Sequence, residues 1–442
     1  MKFQIYLAFA CFTLSSLAEQ VQESANASVT NAPKTVLSID QVISEVLSNN
    51  QSLKAARANW EGMKERIPQA RAWEDPRVGL DATAGRFVSV PPNSFTDYRY
   101  TAEQTIPLSG RNRLQAKVAE SDAASSFLQL HRRELDLTAR AHMAYYRLAN
   151  AYEQLALNRK NTSLLKQYAD ISRAKYEVGT KPQSDVLTAE TELGKQEESR
   201  FDLERQVSEA ETELNVLMNR PAHTPLPQPV TMMFAPLSIS TDNIDHLALA
   251  HRPELQMARK KIEAARSQVE IAKKGWIPEP RLRVEASQYN EASQAISEVA
   301  AGISFNLPWF NRKKYSAAIR ENKNLLESSE YEMAALRTET LGLVRNHLKR
   351  VETFHHHTEL FHDKIIPLAT QTVTATRLSY ETDKATFLNL IEAQRTLQDA
   401  ESMYWNHLAD YLSALAELEA IVGADPKVST DQTIHSKEVH HE

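Results

Sequence analysis

YEVGTKPQSDVLTAETEL begins at Tyr176, and YETDKATFLNLIEAQRTL begins at Tyr380, 204 residues later. Each is a turn followed by a helix-forming run, and each run keeps a step of three and four residues. In the first copy Val186, Ala189, Leu193, Gln196, Arg200, Leu203, Val207, Ala210, Leu214 and Leu217 mark the step. Adding 204 gives Leu390, Ala393, Leu397, Ala400, Tyr404, His407, Tyr411, Ala414, Leu418 and Ile421. Eight of the first ten are apolar, and only His407 of the second ten is neither apolar nor aromatic. This is the a/d seam of a coiled coil. One frame shared by both runs, which a chance match would rarely give, points to two structural repeats in the chain.

The duplication extends upstream. LKAAR at Leu53 answers LQMAR at Leu255, DPRVGLDA at Asp75 answers EPRLRVEA at Glu279, and TIPLSGRNR at Thr105 answers NLPWFNRKK at Asn306, with offsets between 201 and 204. Helical periodicity runs from Ile39 to about Trp73 and again from Arg111 to Tyr176 without a proline. That second run alone would be roughly 100 Å long at about 1.5 Å per residue. The expected organisation is repeat 1 at 39–220, a Pro-rich linker at 221–241 and repeat 2 at 242–423, with a disordered tail at 424–442. Pro221, Pro225, Pro227, Pro229 and Pro236 prohibit continuous helix in the linker.

Each half holds one region with a period of two, a hairpin at about 76–107 and another at about 281–307. Val78, Leu80 and Ala82 alternate on one strand, and Tyr98, Tyr100, Ala102 and Ile106 take the matching face of the next. Val299, Ala301, Ile303, Phe305 and Leu307 alternate in the second hairpin. Strands of about nine to eleven residues suit a tilted membrane strand. Four strands cannot close a barrel, and open edges are excluded from lipid, so a membrane reading forces oligomerisation; three chains would supply twelve strands. The same pattern also fits solvent-exposed hairpins on a helical bundle.

MKFQIYLAFACFTLSSLAEQ reads as a signal peptide at 1–18, with an apolar run from Phe3 to Leu17 that falls short of the ~20 residues of a spanning helix. A retained anchor is the alternative. Cys11, the only cysteine, would leave with the signal, and residues 19–38 form a polar linker. Only ten glycines argue against a large sheet, and a net charge of −6 gives no footprint for nucleic acid. Phosphate-loop, HExxH and Gly-x-Ser-x-Gly motifs are absent, so neither an enzyme nor a cofactor is expected. In FHHHTELFHD, His355, Glu359 and His362 fall at i, i+4 and i+7, one helical face with ligand chemistry for Zn²⁺, Cu²⁺ or Ni²⁺; a solvated polar stretch is the plainer reading.

The order of signal, helix, strand pair, long helix, Tyr-x-x-Gly turn and helix, then the same again, resembles the TolC family of outer-membrane efflux channels over Ile39 to Gly423. RPELQMARKKIEAARSQVEIAKKGWIPEPRL, FNLPWFNRKK and FLNLIEAQRTLQDAESMYWNHLADYLSALAELEAIVG carry the resemblance with the opening phrase. It implies a mainly α fold with a small β part: long coiled-coil helices forming an α-barrel in the periplasm, four membrane β-strands per chain, and a homotrimer in outer-membrane lipid. It also implies an inner-membrane RND pump and a periplasmic adaptor (a membrane fusion protein) as partners. The adaptor-docking tips would be Gly179, Thr180, Lys181 and Pro182 in one hairpin, and Asp383, Lys384, Ala385 and Thr386 in the other.

Gly179 suits the left-handed residue that ends a helix, and Thr180 with Gln183, or Ser184 alone, suits the next cap. Asp383 replaces that glycine in the second tip and accepts the left-handed region less readily, which puts the shared tip geometry in question. The matching periplasmic-gate acids are Asp185 and Glu392, both equally explained as solvated acids near helix N-termini. The wording of RPEL, LPWFNRKK and FLNLIEAQRTL is most similar to channels of heavy-metal pumps of the Czc and Cus type. A type I protein-secretion or drug-efflux outlet, and a periplasmic coiled-coil scaffold, are the alternatives.

Overall fold

A computed structural model of the protein describes residues 36–424, apart from 86, 88, 90, 92 and 235–240. The expected signal peptide, most of the 19–38 linker and the tail beyond residue 424 lie outside the described residues. Leu37, expected in the polar linker, belongs to the folded body instead. It is buried, bridges Pro229, and accepts a hydrogen bond at 3.0 Å from the Tyr145 hydroxyl, which in turn accepts the Val230 amide at 3.1 Å.

Helix α1 (Ile39–Asn49) starts on a capping box in which the Ser38 hydroxyl accepts the Gln41 amide and the Gln41 side chain accepts the Ser38 amide. Two amides that a helix start leaves unpaired are thereby satisfied. The helical run expected over 39–73 is not one helix. Asn50 turns extended and caps α2 (Gln51–Lys64) by accepting the Ser52 amide at 3.0 Å; α3 (Arg66–Arg71) follows. A short amide side chain offers the backbone this alternative to continued helix, and apolar periodicity does not register it.

Helix α4 (Arg111–Glu177) is 67 residues long and folds back through the Gly179 turn into α5 (Gln183–Leu217). In the second half α6 (Thr241–His251) and α7 (Pro253–Lys274) precede the strands, and α8 (Arg312–Leu360) leads through a π-helical turn (Phe361–Ile365) into α9 (Ile366–Glu381), then α10 (Phe387–Val422). Pro367 explains the π turn: it lacks an amide N–H, and its ring crowds the carbonyl four residues back, at Asp363 within the turn. The offset between halves grows from 201 to 204 across this stretch.

Every residue of both seams is buried or half-buried. Val42, Val46, Leu53, Leu148 and Leu214 anchor the core of the first repeat, and Ile244, Val344, Leu408 and Leu418 that of the second. A third cluster, with Leu165, Ala189, Tyr380, Phe387 and Leu390, joins the two hairpins near their tips.

The strands β1 (Arg77–Ala82), β2 (Thr96–Thr105), β3 (Pro280–Tyr289) and β4 (Glu298–Phe305) form one antiparallel sheet in chain order, so the hairpins of the two repeats join through β2 and β3. The inner strands have ten residues each, within the expected nine to eleven, whereas the edges β1 and β4 have six and eight. An edge is paired on one side only, so the ladder ends before the alternation does.

The register sorts the side chains cleanly. Leu80 faces Tyr100, Tyr100 faces Ala286, and Leu282 faces Ile303, all on one side. The opposite side carries Arg99 paired with Glu285 at 2.6 Å and Arg283 with Glu285 at 2.8 Å. The apolar side is bare: Val78 is 83%, Leu80 62%, Ile303 62% and Phe305 54% exposed. A contiguous apolar face of this kind favours lipid over the solvated-hairpin alternative. Among the described residues no helix is long and apolar enough to cross a membrane.

Candidate functional site

Far from the sheet, the turns joining α4 to α5 and α9 to α10 lie side by side. In the first, Gly179 sits at φ +72°, its amide donates to the Tyr176 carbonyl at 2.9 Å, and the Thr180 amide donates to Lys175 at 2.9 Å. In the second, Asp383 sits at φ +60°, its amide donates to Tyr380 at 3.2 Å, and the Lys384 amide donates to Ser379 at 2.8 Å. The two turns therefore share one geometry, and the departure at Asp383 does not change the tip's shape.

What supports a left-handed aspartate comes from the other hairpin. Its carboxylate accepts Lys175 Nζ at 3.1 Å and lies 3.2 Å from Lys181 Nζ. Hydrogen bonds from these two lysines hold the Asp383 carboxyl below its ordinary pKa. Lys175 also donates to the Tyr380 carbonyl at 3.0 Å, closing the end of α9, and both ammonium groups lie over the Tyr380 ring, at 4.8 and 5.4 Å. Tyr380 is 1% exposed and packs on Phe387 at 5.5 Å. The structure thus brings the residues expected at the two tips into one unit.

The expected caps differ. Thr180 does not cap α5, because its hydroxyl donates back to the Lys175 carbonyl at 2.9 Å; Pro182 holds the N-cap position and makes no side-chain bond. Thr386 does cap α10, accepting the Asn389 amide at 3.3 Å. The left-handed Gly179 turns Thr180 back onto α4, an outcome of turn shape rather than of residue type.

Asp185 lies in the first turn of α5, where burial raises its pKa and Lys181 opposes the rise. Glu392 is exposed on α10, and no hydrogen bond or ion pair joins the two acids within the chain. Between α5 and α10 the chain makes a different link. The Glu192 carboxylate, 7% exposed, receives two hydrogen bonds from Arg395, one at 3.1 Å from Nε and a shorter one, and a third from Lys195 at 2.8 Å. Burial raises the Glu192 pKa, but the bonds from Arg395 and Lys195 outweigh it and leave the group below its ordinary value. Sequence reasoning missed this pair. The signal was the offset of 204, which sets Arg395 level with Thr191, the neighbour of Glu192.

His355, Glu359 and His362 do not come together as a ligand set. The Phe234 ring of the linker lies 5.1 Å from the His355 ring and 6.5 Å from that of His362, and His362 Nδ1 is bonded to Asp363 at 2.6 Å. Glu359 faces solvent, and among the described residues no group of three or more His, Cys, Asp or Glu is arranged to hold a metal.

Comparison with known proteins gives this arrangement its context. The family model described as outer membrane efflux protein matches residues 42–220 and 245–424, one match per repeat. The chain is 23% identical over 366 residues to the alkaline protease secretion protein AprF of Pseudomonas aeruginosa, covering 80% of this chain and 75% of AprF. It is 21% identical over 413 residues to the cobalt-zinc-cadmium resistance protein CzcC of Cupriavidus metallidurans, covering 88% of this chain and 90% of CzcC. The crystal structure of the outer membrane protein VceC from Vibrio cholerae superposes with a TM-score of 0.72 at 17% identity, covering 87% of this chain and 96% of that one. With a four-stranded sheet bearing one apolar face, paired helical hairpins and a family match over both halves, this chain belongs to the outer membrane efflux protein family.

Proposed function

We propose that three copies of this chain form the exit duct of a tripartite RND efflux system and that its cargo is heavy-metal cations, of the Cu/Ag or the Co/Zn/Cd group. The chain is an outer-membrane efflux channel with its helices in the periplasm, and its family is one of channels rather than enzymes. The single observation that carries the cargo reading is the extent of the CzcC match, which spans nearly all of both chains. The match to AprF supports a second reading, a protein-secretion outlet.

In this reading the sheet, with unpaired edges at β1 and β4, closes with its copies into a barrel, since open edges are excluded from lipid. The exposed tips at 179–182 and 383–386 receive the periplasmic adaptor, and the acids Asp185 and Glu392 narrow the entrance, attracting cations while repelling one another. Passage needs no chemistry from the chain, because the pump supplies the energy. The test is a deletion strain complemented with the wild-type gene. Loss of tolerance to Cu⁺, Ag⁺, Zn²⁺, Co²⁺ or Cd²⁺ with protein secretion intact supports the metal reading; loss of secretion with tolerance intact overturns it in favour of the second.

A further inference from the structure

The core cluster near the tips joins α4 of the first repeat to α9 and α10 of the second, and there Tyr380 and Ile391 are each 1% exposed. Subtracting 204 gives Tyr176 and Leu187, a matching aromatic and a matching aliphatic residue, yet these are 44% and 54% exposed. One chain thus covers this face on its second hairpin and leaves it bare on its first. The polar links show the same asymmetry. Lys160 Nζ donates to Glu401 at 2.8 Å, and the Ser172 hydroxyl lies 3.4 Å from that of Tyr380. Shifted by 204, the first pair becomes Lys364 with Glu197 and the second Thr376 with Tyr176, so both the charges and the hydroxyls are kept. Among the described residues Lys364 is exposed and has no ion pair, and Glu197, 70% exposed, has only Arg200, at 3.9 Å. The offset holds on either side of these positions: buried Leu165 and Ala169 correspond to buried Ala369 and Val373, and Glu197 lies within the seam that both repeats share.

We infer that the bare face at Tyr176, Leu187 and Glu197 is covered by α9 and the π turn of a second copy of this chain, in the register that the in-chain junction already shows. The Glu197 carboxylate then accepts Lys364 of the neighbouring copy, and the Tyr176 hydroxyl meets its Thr376. An apolar pair left bare beside an unmatched charge marks an interaction surface, and here the complementary charge lies on the opposite hairpin of the same sequence. Because the second repeat of one copy meets the first repeat of the next, the contact is head-to-tail, the kind that closes into a ring when the rotation permits. Two in-chain links are not repeated: Lys175 with Asp383 becomes Ser379 with Gly179, and Arg395 with Glu192 becomes Thr191 with Thr396. The contact between copies is therefore made by the apolar pair, the hydroxyls and one charge pair. It deepens the channel reading and rests on it for the number of copies.

The test is cross-linking of the full-length chain carrying Cys11→Ser, with a short bis-maleimide added to the detergent extract. Lys160→Cys with Glu401→Cys calibrates the reagent, since that pair links within one chain and leaves it monomeric on a denaturing gel. Lys364→Cys with Glu197→Cys is expected to convert monomer into covalent dimer and trimer, and either substitution alone is expected to give neither. Lys364→Cys with Glu209→Cys, about 18 Å further along α5, is expected to give neither as well. Thr376→Cys with Tyr176→Cys repeats the measurement should the first pair not assemble. Size analysis of the same extract separates the two ways of failing. A trimer in which the calibrating pair links but Lys364→Cys with Glu197→Cys does not overturns the contact alone, and a monomer overturns the contact together with the three-copy duct.

Discussion

Replacing Arg395 by Gln removes two of the three hydrogen bonds received by the buried Glu192 carboxylate and leaves only Lys195. Hydrogen bonds to charged groups contribute about 1.5–3 kcal/mol. Arg395 is 48% exposed, so solvent screening puts the pair at the low end, about 1.5 kcal/mol per chain. That is roughly a tenfold shift in the balance between joined and separated α5 and α10, and about a thousandfold for three chains opening together. Single-channel recording in planar bilayers is the assay, and Arg395→Gln is expected to show a large rise in open probability.

Glu192→Gln should open the channel less, since it also removes a buried charge that needs pairing, and the double variant should not exceed Arg395→Gln alone. The pH response carries a definite sign. A carboxylate with a depressed folded pKa contributes fully above its unfolded value, near about 4.3, and loses that contribution as pH falls through the folded value. Wild-type conductance should therefore rise in acid below about pH 4.3, and Glu192→Gln should lack that rise. An Arg395→Gln channel indistinguishable from wild type would refute the link as a latch.

Ile303→Arg places a charge on the apolar face of the sheet, at a cost of about 2–4 kcal/mol if it reaches the bilayer midplane, and should reduce recovery of assembled channel from the outer membrane. Ala300→Arg, which points to the charged face opposite Glu285, should assemble as wild type; equal recovery of both would refute the assignment of faces. Asp185→Asn combined with Glu392→Gln is expected to raise single-channel conductance, and unchanged conductance would remove both acids from the gate. Gly179→Val forces a β-branched residue to φ +72°, costing about 1–2 kcal/mol, and should lower cross-linking of the adaptor at the tip. Asp383→Gly should keep the turn while releasing Lys175 and Lys181, visible as faster proteolysis of the tips.

The long helices were legible because their period is local and repeated: the seam from Val186 to Leu217 predicts its copy from Leu390 to Ile421, and all of these positions are buried or half-buried. The strand faces were legible for the same reason, since Tyr98, Tyr100, Ile303 and Phe305 alternate with a period of two and share one side of the sheet. Gly179 announced its turn because few residues other than glycine enter the left-handed region readily. The sequence alone thus determined a duplicated helical protein with two hairpins of strands.

Tertiary structure decided everything that depends on a partner from the other half. Asp383 is comfortable at φ +60° because Lys175, 208 positions away, reaches it. Glu192 is held ionised by Arg395, 203 positions away, and His357 meets His407 only because α8 docks on α10. Periodicity says which face of a helix turns inward, since that follows from geometry over a few residues. Which side chain it meets there follows from how one hairpin is laid against the other, and burial then converts that meeting into a bond or an altered pKa.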